Sequence, residues 1–159
     1  MVPNITSGSS FYGVIAYNKI KVDKGMAKVL WHPKIAADTS GNVPVENCVQ
    51  AFEPYIALNS HVRKPVIHIS LNPSPKDILS KEQMTVLAQE FMEKFGYGNQ
   101  PYIVWLHEDI NRKHMHIISV RIDETGEKID HNREAIRAQN ICREMEVKYG
   151  LHPTLGEHS

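Results

Sequence analysis

The 159 residues, 42% hydrophobic and 23% charged, suit one globular domain with a single core and leave little room for a second. Eighteen Lys and Arg balance eighteen Asp and Glu, which weighs against a broadly basic surface for duplex binding. No run approaches the roughly 20 apolar residues of a membrane span and no basic stretch leads into an apolar one at the N-terminus, so neither insertion nor secretion is expected.

Residues 2–5 read as a short strand, and Ser9 and Ser10 offer N-caps to a helix from Phe11 to about Ile20 that carries Tyr17. The stretch 22–31 mixes Lys, Gly25 and apolar residues without a period and reads as irregular. Pro44 then opens a helix whose Val45, Cys48, Val49, Phe52 and Ile56 form one apolar stripe, with Pro54 expected to kink or shorten it. After Lys64 and Pro65, the β-branched and alternating segment 66–71 is a strand stopped by Asn72 and Pro73. Ser80 and Gln83 stand at capping-box spacing ahead of Met84, Leu87, Ala88, Phe91, Met92 and Phe95, and Gly96 ends that helix.

Tyr102 to Leu106 and residues 114–122 read as two strands of a hairpin joined by a polar turn over 108–113, with His107 at the rim. A Gly turn over 123–127 follows, then a helix over 133–149 capped by Asn132 and ended by Gly150. Cys48 and Cys142 lie far apart, fit no metal or redox spacing, and belong on helix faces of a protein from a reducing compartment. Strands and helices at this spacing predict an α+β fold, a largely antiparallel central sheet with helices packed against it.

The window L-H-E-D-I-N-R-K-H-M-H-I-I-S-V-R (106–121) carries the chemistry. His114 and His116 are two apart in a strand and share a face, so both imidazoles reach one point. If the polar turn folds the preceding strand alongside, His107 completes a three-imidazole site with coordination positions left for water or a substrate oxygen. Asp109 stands where it can accept the ring N–H of a bound His and fix its tautomer.

This window resembles the third motif of relaxases of the HUH endonuclease superfamily, in which a His, an Asp two residues on and a His-x-His pair hold a divalent ion. The run H-I-S-L-N-P (68–73), the lead-in P-Y-I-V-W-L-H and the trailing R-I-D-E-T-G-E-K-I (121–129) extend the likeness, which is nearest to mobilisation proteins of Bacteroides-type elements and covers roughly residues 5–155. The resemblance implies a ferredoxin- or RRM-related core, a magnesium or manganese cofactor (zinc or nickel in a purified sample), and metal ligands at His107, His114 and His116. It departs at Arg112, where many relatives carry another His, and in its neutral charge. The stretch S-S-F-Y-G-V-I-A-Y-N (9–18) is similar to the family's first motif and implies a catalytic tyrosine at Tyr17, with Tyr12 as the alternative; five residues apart on a helix, the two project about 140° from each other.

The implied reaction is metal-assisted nicking of one DNA strand at an origin of transfer, through a 5′-phosphotyrosine, for mobilisation of a plasmid or transposon. Asp109 or a metal-bound water is the proton acceptor. Single-stranded or melted DNA would stack on Trp31, Tyr97 or Tyr102 and lay its backbone against Lys19, Lys21, Lys24, Lys28, Ser70 and Arg121. Expected partners are accessory mobilisation proteins and a type IV secretion coupling protein, in a bacterial cytoplasm, with the 159 residues as the N-terminal nicking domain of a longer protein. Three alternatives stay open: an HUH replication initiator, a metal-dependent hydrolase in which water attacks, and a non-catalytic DNA-binding module built on a structural ion.

Overall fold

Five strands and four helices, described over residues 1–108 and 112–154 of a computed structural model, follow the order β1 (Val2–Gly8), α1 (Tyr12–Asp23), β2 (Ala27–Trp31), α2 (Val45–Ile56), β3 (Val66–Asn72), α3 (Lys81–Phe95), β4 (Tyr102–His107), β5 (His114–Val120) and α4 (Glu134–Tyr149). The strands form one antiparallel sheet in the spatial order β1-β3-β5-β4-β2, the α+β architecture expected. Among the described residues no helix is long and apolar enough to cross a membrane.

Alternation along the central strands sorts their side chains to two faces. Ile67, Ile69 and Leu71 of β3, Val104 and Leu106 of β4, and Met115 and Ile117 of β5 pack with Met84, Leu87, Phe91 and Phe95 of α3 and Ile141 and Met145 of α4. Val66, Ile103, Trp105, Ile118 and Val120 point the other way and meet Phe11 just before α1, Ile15 of α1 and Cys48 and Phe52 of α2. Each large side chain so buried contributes about 1.5–3 kcal/mol. The sheet is therefore the middle of three layers, with both cysteines buried on helix faces.

Local signals account for most boundaries. Ser80 Oγ accepts the Gln83 N–H at 3.1 Å while Gln83 Oε1 accepts the Ser80 N–H at 2.7 Å, a complete capping box at the start of α3. Gly96 closes the helix at φ 93°, where a side chain would strain the backbone. Pro54 falls in the last turn of α2, which closes at Ile56.

Six expectations need correction. Residues 27–31 are a strand: β2 is an edge that pairs with β4 alone and has a register shift between Val29 and Trp31, so its alternation is blurred. β1 extends to Gly8 and α1 to Asp23, each beyond its expected end. At α1 Phe11 is the N-cap residue, with Ser10 Oγ 3.4 Å from the Tyr12 N–H, and at α4 the N-cap is Arg133 at φ 53° rather than Asn132. β5 ends at Val120, and Ile122 instead bridges Lys128 across the Gly126 turn.

Candidate active site

The register of the β4–β5 hairpin sets His107 directly opposite His114. His116, two residues along β5, lies opposite Trp105 on one side and Ser70 of β3 on the other. Since Leu106, Met115 and Ile117 occupy the α3/α4 face, the three histidines project together onto the α1/α2 face. Their ring centroids are 5.1 Å (His107–His114), 4.4 Å (His107–His116) and 4.9 Å (His114–His116) apart. One ligand nitrogen from each lies within 4.8 Å of the others. An ion held at about 2.1 Å by three imidazoles spaces their nitrogens about 3–3.5 Å apart, so the cluster is one that could hold a divalent metal after modest ring rotation.

A fourth imidazole, missed in the sequence, belongs to the same face. His68 of β3 alternates with Ile67 and Ile69, and its Nε2 lies 2.8 Å from His116 Nδ1. Burial lowers its pKa below the usual imidazole value, which favours the neutral ring. A neutral His68 can accept the Nδ1–H of His116 and leave Nε2 of His116 for a metal.

Helix α1 covers the cluster. Its buried side chains are Ile15 and Asn18. Asn18 Oδ1 is 2.6 Å from His107 Nε2, and Asn18 Nδ2 donates to the Val14 carbonyl at 2.8 Å. A signal for Asn18 is present in the sequence: Phe11, Ile15, Asn18 and Val22 recur at helical spacing, so a polar residue sits in the stripe that faces the sheet.

Tyr17 lies one residue earlier, half exposed, and lines an open cleft of about 250 Å³ together with Gly13, Val14, Asn18, His68, His107 and His116. Tyr12 is placed elsewhere. Its ring stacks on Phe11 and its hydroxyl donates to Glu53 Oε1 at 3.0 Å, a bond that raises the phenol's pKa. Asp109 lies outside the described residues.

The expected DNA contacts divide. Lys19 is half-exposed beside Asp23 at 3.4 Å, Lys21 sits with its ammonium 5.6 Å from the Tyr17 ring centroid, Lys24 is exposed at the end of α1, and Lys28 pairs with Glu108 at 3.3 Å. Trp31 is exposed on the sheet edge. Ser70 is half-buried, and its hydroxyl accepts from Asn72 at 3.2 Å. Arg121 needs correction, because it is 2% exposed and its guanidinium is occupied: both Nη atoms lie 3.0 Å from Glu134 and Nε donates to Ser7 at 2.9 Å. Tyr97 and Tyr102 are likewise buried, at 1% and 3% exposure, which withdraws them as stacking platforms.

Comparison with curated proteins and with solved structures gives no match. The relaxase family of MobA/VirD2-like nuclease domains matches over residues 31–151, which takes in His107, His114 and His116, His68 and the capped α3 but begins after α1. That span exceeds half of the chain, and the chain belongs to the MobA/VirD2-like relaxase nuclease-domain family, whose general activity is DNA nicking in mobilisation.

Proposed function

We propose that this domain nicks one DNA strand at an origin of transfer by transesterification, with Tyr17 as nucleophile. The observation that carries the reading is that Tyr17 lines one cleft with His68, His107 and His116, while Tyr12 is held by Glu53. In the step, the Tyr17 phenol loses its proton and its oxygen bonds to phosphorus. The bond from phosphorus to the 3′ oxygen breaks, and that oxygen takes up a proton and leaves as a hydroxyl. One phosphoester replaces another, so an incoming 3′-hydroxyl reverses the reaction and reseals the strand.

A divalent cation held by His107, His114 and His116 supplies, when bound, positive charge against a non-bridging oxygen of the scissile phosphate. The all-imidazole donor set favours manganese over magnesium. Asp109, two residues after His107 in the sequence, is proposed as the acceptor of the tyrosine proton or of a ligand ring N–H. Lys19 and Lys21 follow Tyr17 on the same helix, Lys24 stands at its C-cap, and the three suit the backbone of a single strand. The family assignment favours mobilisation over replication initiation, with a plasmid or transposon as the element, a bacterial cytoplasm as the setting, and accessory proteins and a secretion coupling protein as partners of a longer chain.

The test uses a 3′-labelled single-stranded oligonucleotide spanning the origin of transfer of the cognate element, with Mn²⁺. A labelled protein band that survives denaturation is expected from the unmodified protein and from Tyr12→Phe, and not from Tyr17→Phe. A band that persists in Tyr17→Phe overturns the choice of nucleophile; cleavage without any band replaces transesterification by hydrolysis.

A further inference from the structure

We propose that Gly13 is a specificity-determining residue: its missing side chain leaves a notch in α1, one turn before Tyr17, that receives the nucleobase adjoining the scissile phosphate. The inference rests on the relaxase reading for the identity of its ligand; the notch itself rests on the structure alone. Gly13 is the second residue of α1 and lines, with Val14 and Tyr17, the cleft that also takes in His68, His107 and His116.

Nothing in the fold requires glycine at this point. Gly96 is held at φ 93° by its helix end, and a side chain at Gly98 would collide with the Glu93 carboxylate. Gly13 instead lies outside the left-handed region, and a Cβ built on it meets no atom within 4 Å. Glycine is among the residues least favoured within a helix and alanine the most, so alanine here would fit the free protein and hold α1 better. Residues four apart on a helix are neighbours and their side chains lean back toward its N-terminus, as the Lys21 ammonium does 5.6 Å from the Tyr17 ring centroid. Tyr17 stands one turn after Gly13 in the same row, so a side chain at 13 would take up cleft volume beside the phenol.

The chemistry of the lining selects the occupant. At about 250 Å³ the cleft is smaller than the roughly 300–1,000 Å³ of sites that enclose a whole small ligand, so it suits one ring system. Its lining is Gly13, Val14, Asn18, the Tyr17 phenol and the imidazoles of His68, His107 and His116, with no lysine or arginine among them. Aromatic rings of this kind stack bases, whereas a phosphate calls for a cation. Since Tyr17 reaches phosphorus from the same cleft, the base is one that flanks the scissile phosphate.

The experiment reads binding rather than cutting. A fluorescent single strand spanning the origin of transfer of the cognate element is titrated with Mn²⁺-loaded protein carrying Tyr17→Phe, with and without Gly13→Leu, and anisotropy gives the affinity. Two further strands each replace one of the nucleotides flanking the scissile phosphate by an abasic residue. Gly13→Leu is expected to bind the intact strand about 10–100-fold more weakly, the loss of one stacked base. On one of the two abasic strands the two proteins are expected to agree within about threefold, since the base that the new side chain displaces is already gone. Gly13→Ala, melting at or above the unmodified protein, is expected to fall between them in affinity.

Equal affinity for the intact strand in a folded Gly13→Leu overturns the inference, and so does a loss that persists on both abasic strands, which would put sugar or phosphate in the notch. Should Gly13→Leu fail to fold by circular dichroism, Gly13→Ala is compared on the same three strands and decides alone. A protein that binds no single strand fails the relaxase reading and this inference together, whereas one that nicks and binds as well with Gly13→Leu fails the inference alone. Cutting plays no part in the measurement, so a strand-binding protein that never forms the tyrosine ester can still pass it.

Discussion

The two faces of the sheet use the same three central strands for different ends. On one, β3, β4 and β5 give a mainly apolar set to α3 and α4, from Ile67 and Leu71 through Leu106 to Met115, with the Ser119 hydroxyl satisfied by the Pro101 carbonyl. On the other, the apolar set of Val66, Ile103, Trp105, Ile118 and Val120 gives way along the same strands to His68, Ser70, His107, His114 and His116. Residue alternation keeps the two apart, so histidines next in sequence to Leu106 and Met115 never enter the larger core. Rigidity comes from one face and chemistry from the other, which is how a site can be polar without loosening the sheet that positions it.

The largest effect should come from the polar face. Replacing His114 and His116 together by Ala should abolish measurable Mn²⁺ binding in calorimetry and lower nicking by about 10³-fold or more, since two of three ligands are gone. Both side chains are half-buried and outside the apolar clusters, so thermal unfolding should shift by no more than about 1 kcal/mol. Retained Mn²⁺ affinity would reject the site; a collapse of stability would mean that the histidines also hold the sheet together.

Phe91→Ala probes the opposite face. Phe91 is fully buried and packs 5.2 Å from the Phe95 ring centroid, so its removal should lower stability in urea unfolding by about 3–5 kcal/mol. The folded fraction should bind Mn²⁺ within a factor of about three of the unmodified protein. A larger change in affinity would show that the faces are coupled through the strands.

The same contrast governs how much of the molecule is legible in its amino-acid sequence. Helix α3 is plain there because the capping residues Ser80 and Gln83, the stripe from Met84 to Phe95 and the stop at Gly96 all agree. The His107, His114 and His116 cluster is legible because i,i+2 spacing and a short hairpin require no long-range information. His68 is not, since its place beside His116 depends on which strand neighbours β5, a pairing between segments 48 positions apart. Helix α1 is harder still: with Tyr12, Tyr17 and Ile20 exposed and Asn18 buried, its hydrophobic pattern runs against its burial. Arg121 misleads for a related reason, because an arginine at the end of a functional motif has the same sequence appearance whether it meets phosphate or Glu134.

Arg121→Met tests that last assignment with the smallest of these effects. The guanidinium bridges Ser7 at the end of β1, Tyr97 after α3 and Glu134 at the start of α4, and Glu134 is itself partly exposed and can be rehydrated when its partner is lost. Burial pushes the Tyr97 phenol up to about 12, so that ring stays neutral and leaves no second charge to compensate. A loss of about 2 kcal/mol is expected in urea unfolding, below the full penalty for breaking a wholly enclosed pair. Binding of a single-stranded oligonucleotide should keep its dependence on salt, because a side chain inside the fold displaces no counterions from phosphate. If the slope of log affinity against log salt falls by about 0.7, the value for one single-strand phosphate contact, then Arg121 leaves Glu134 for DNA when the substrate arrives.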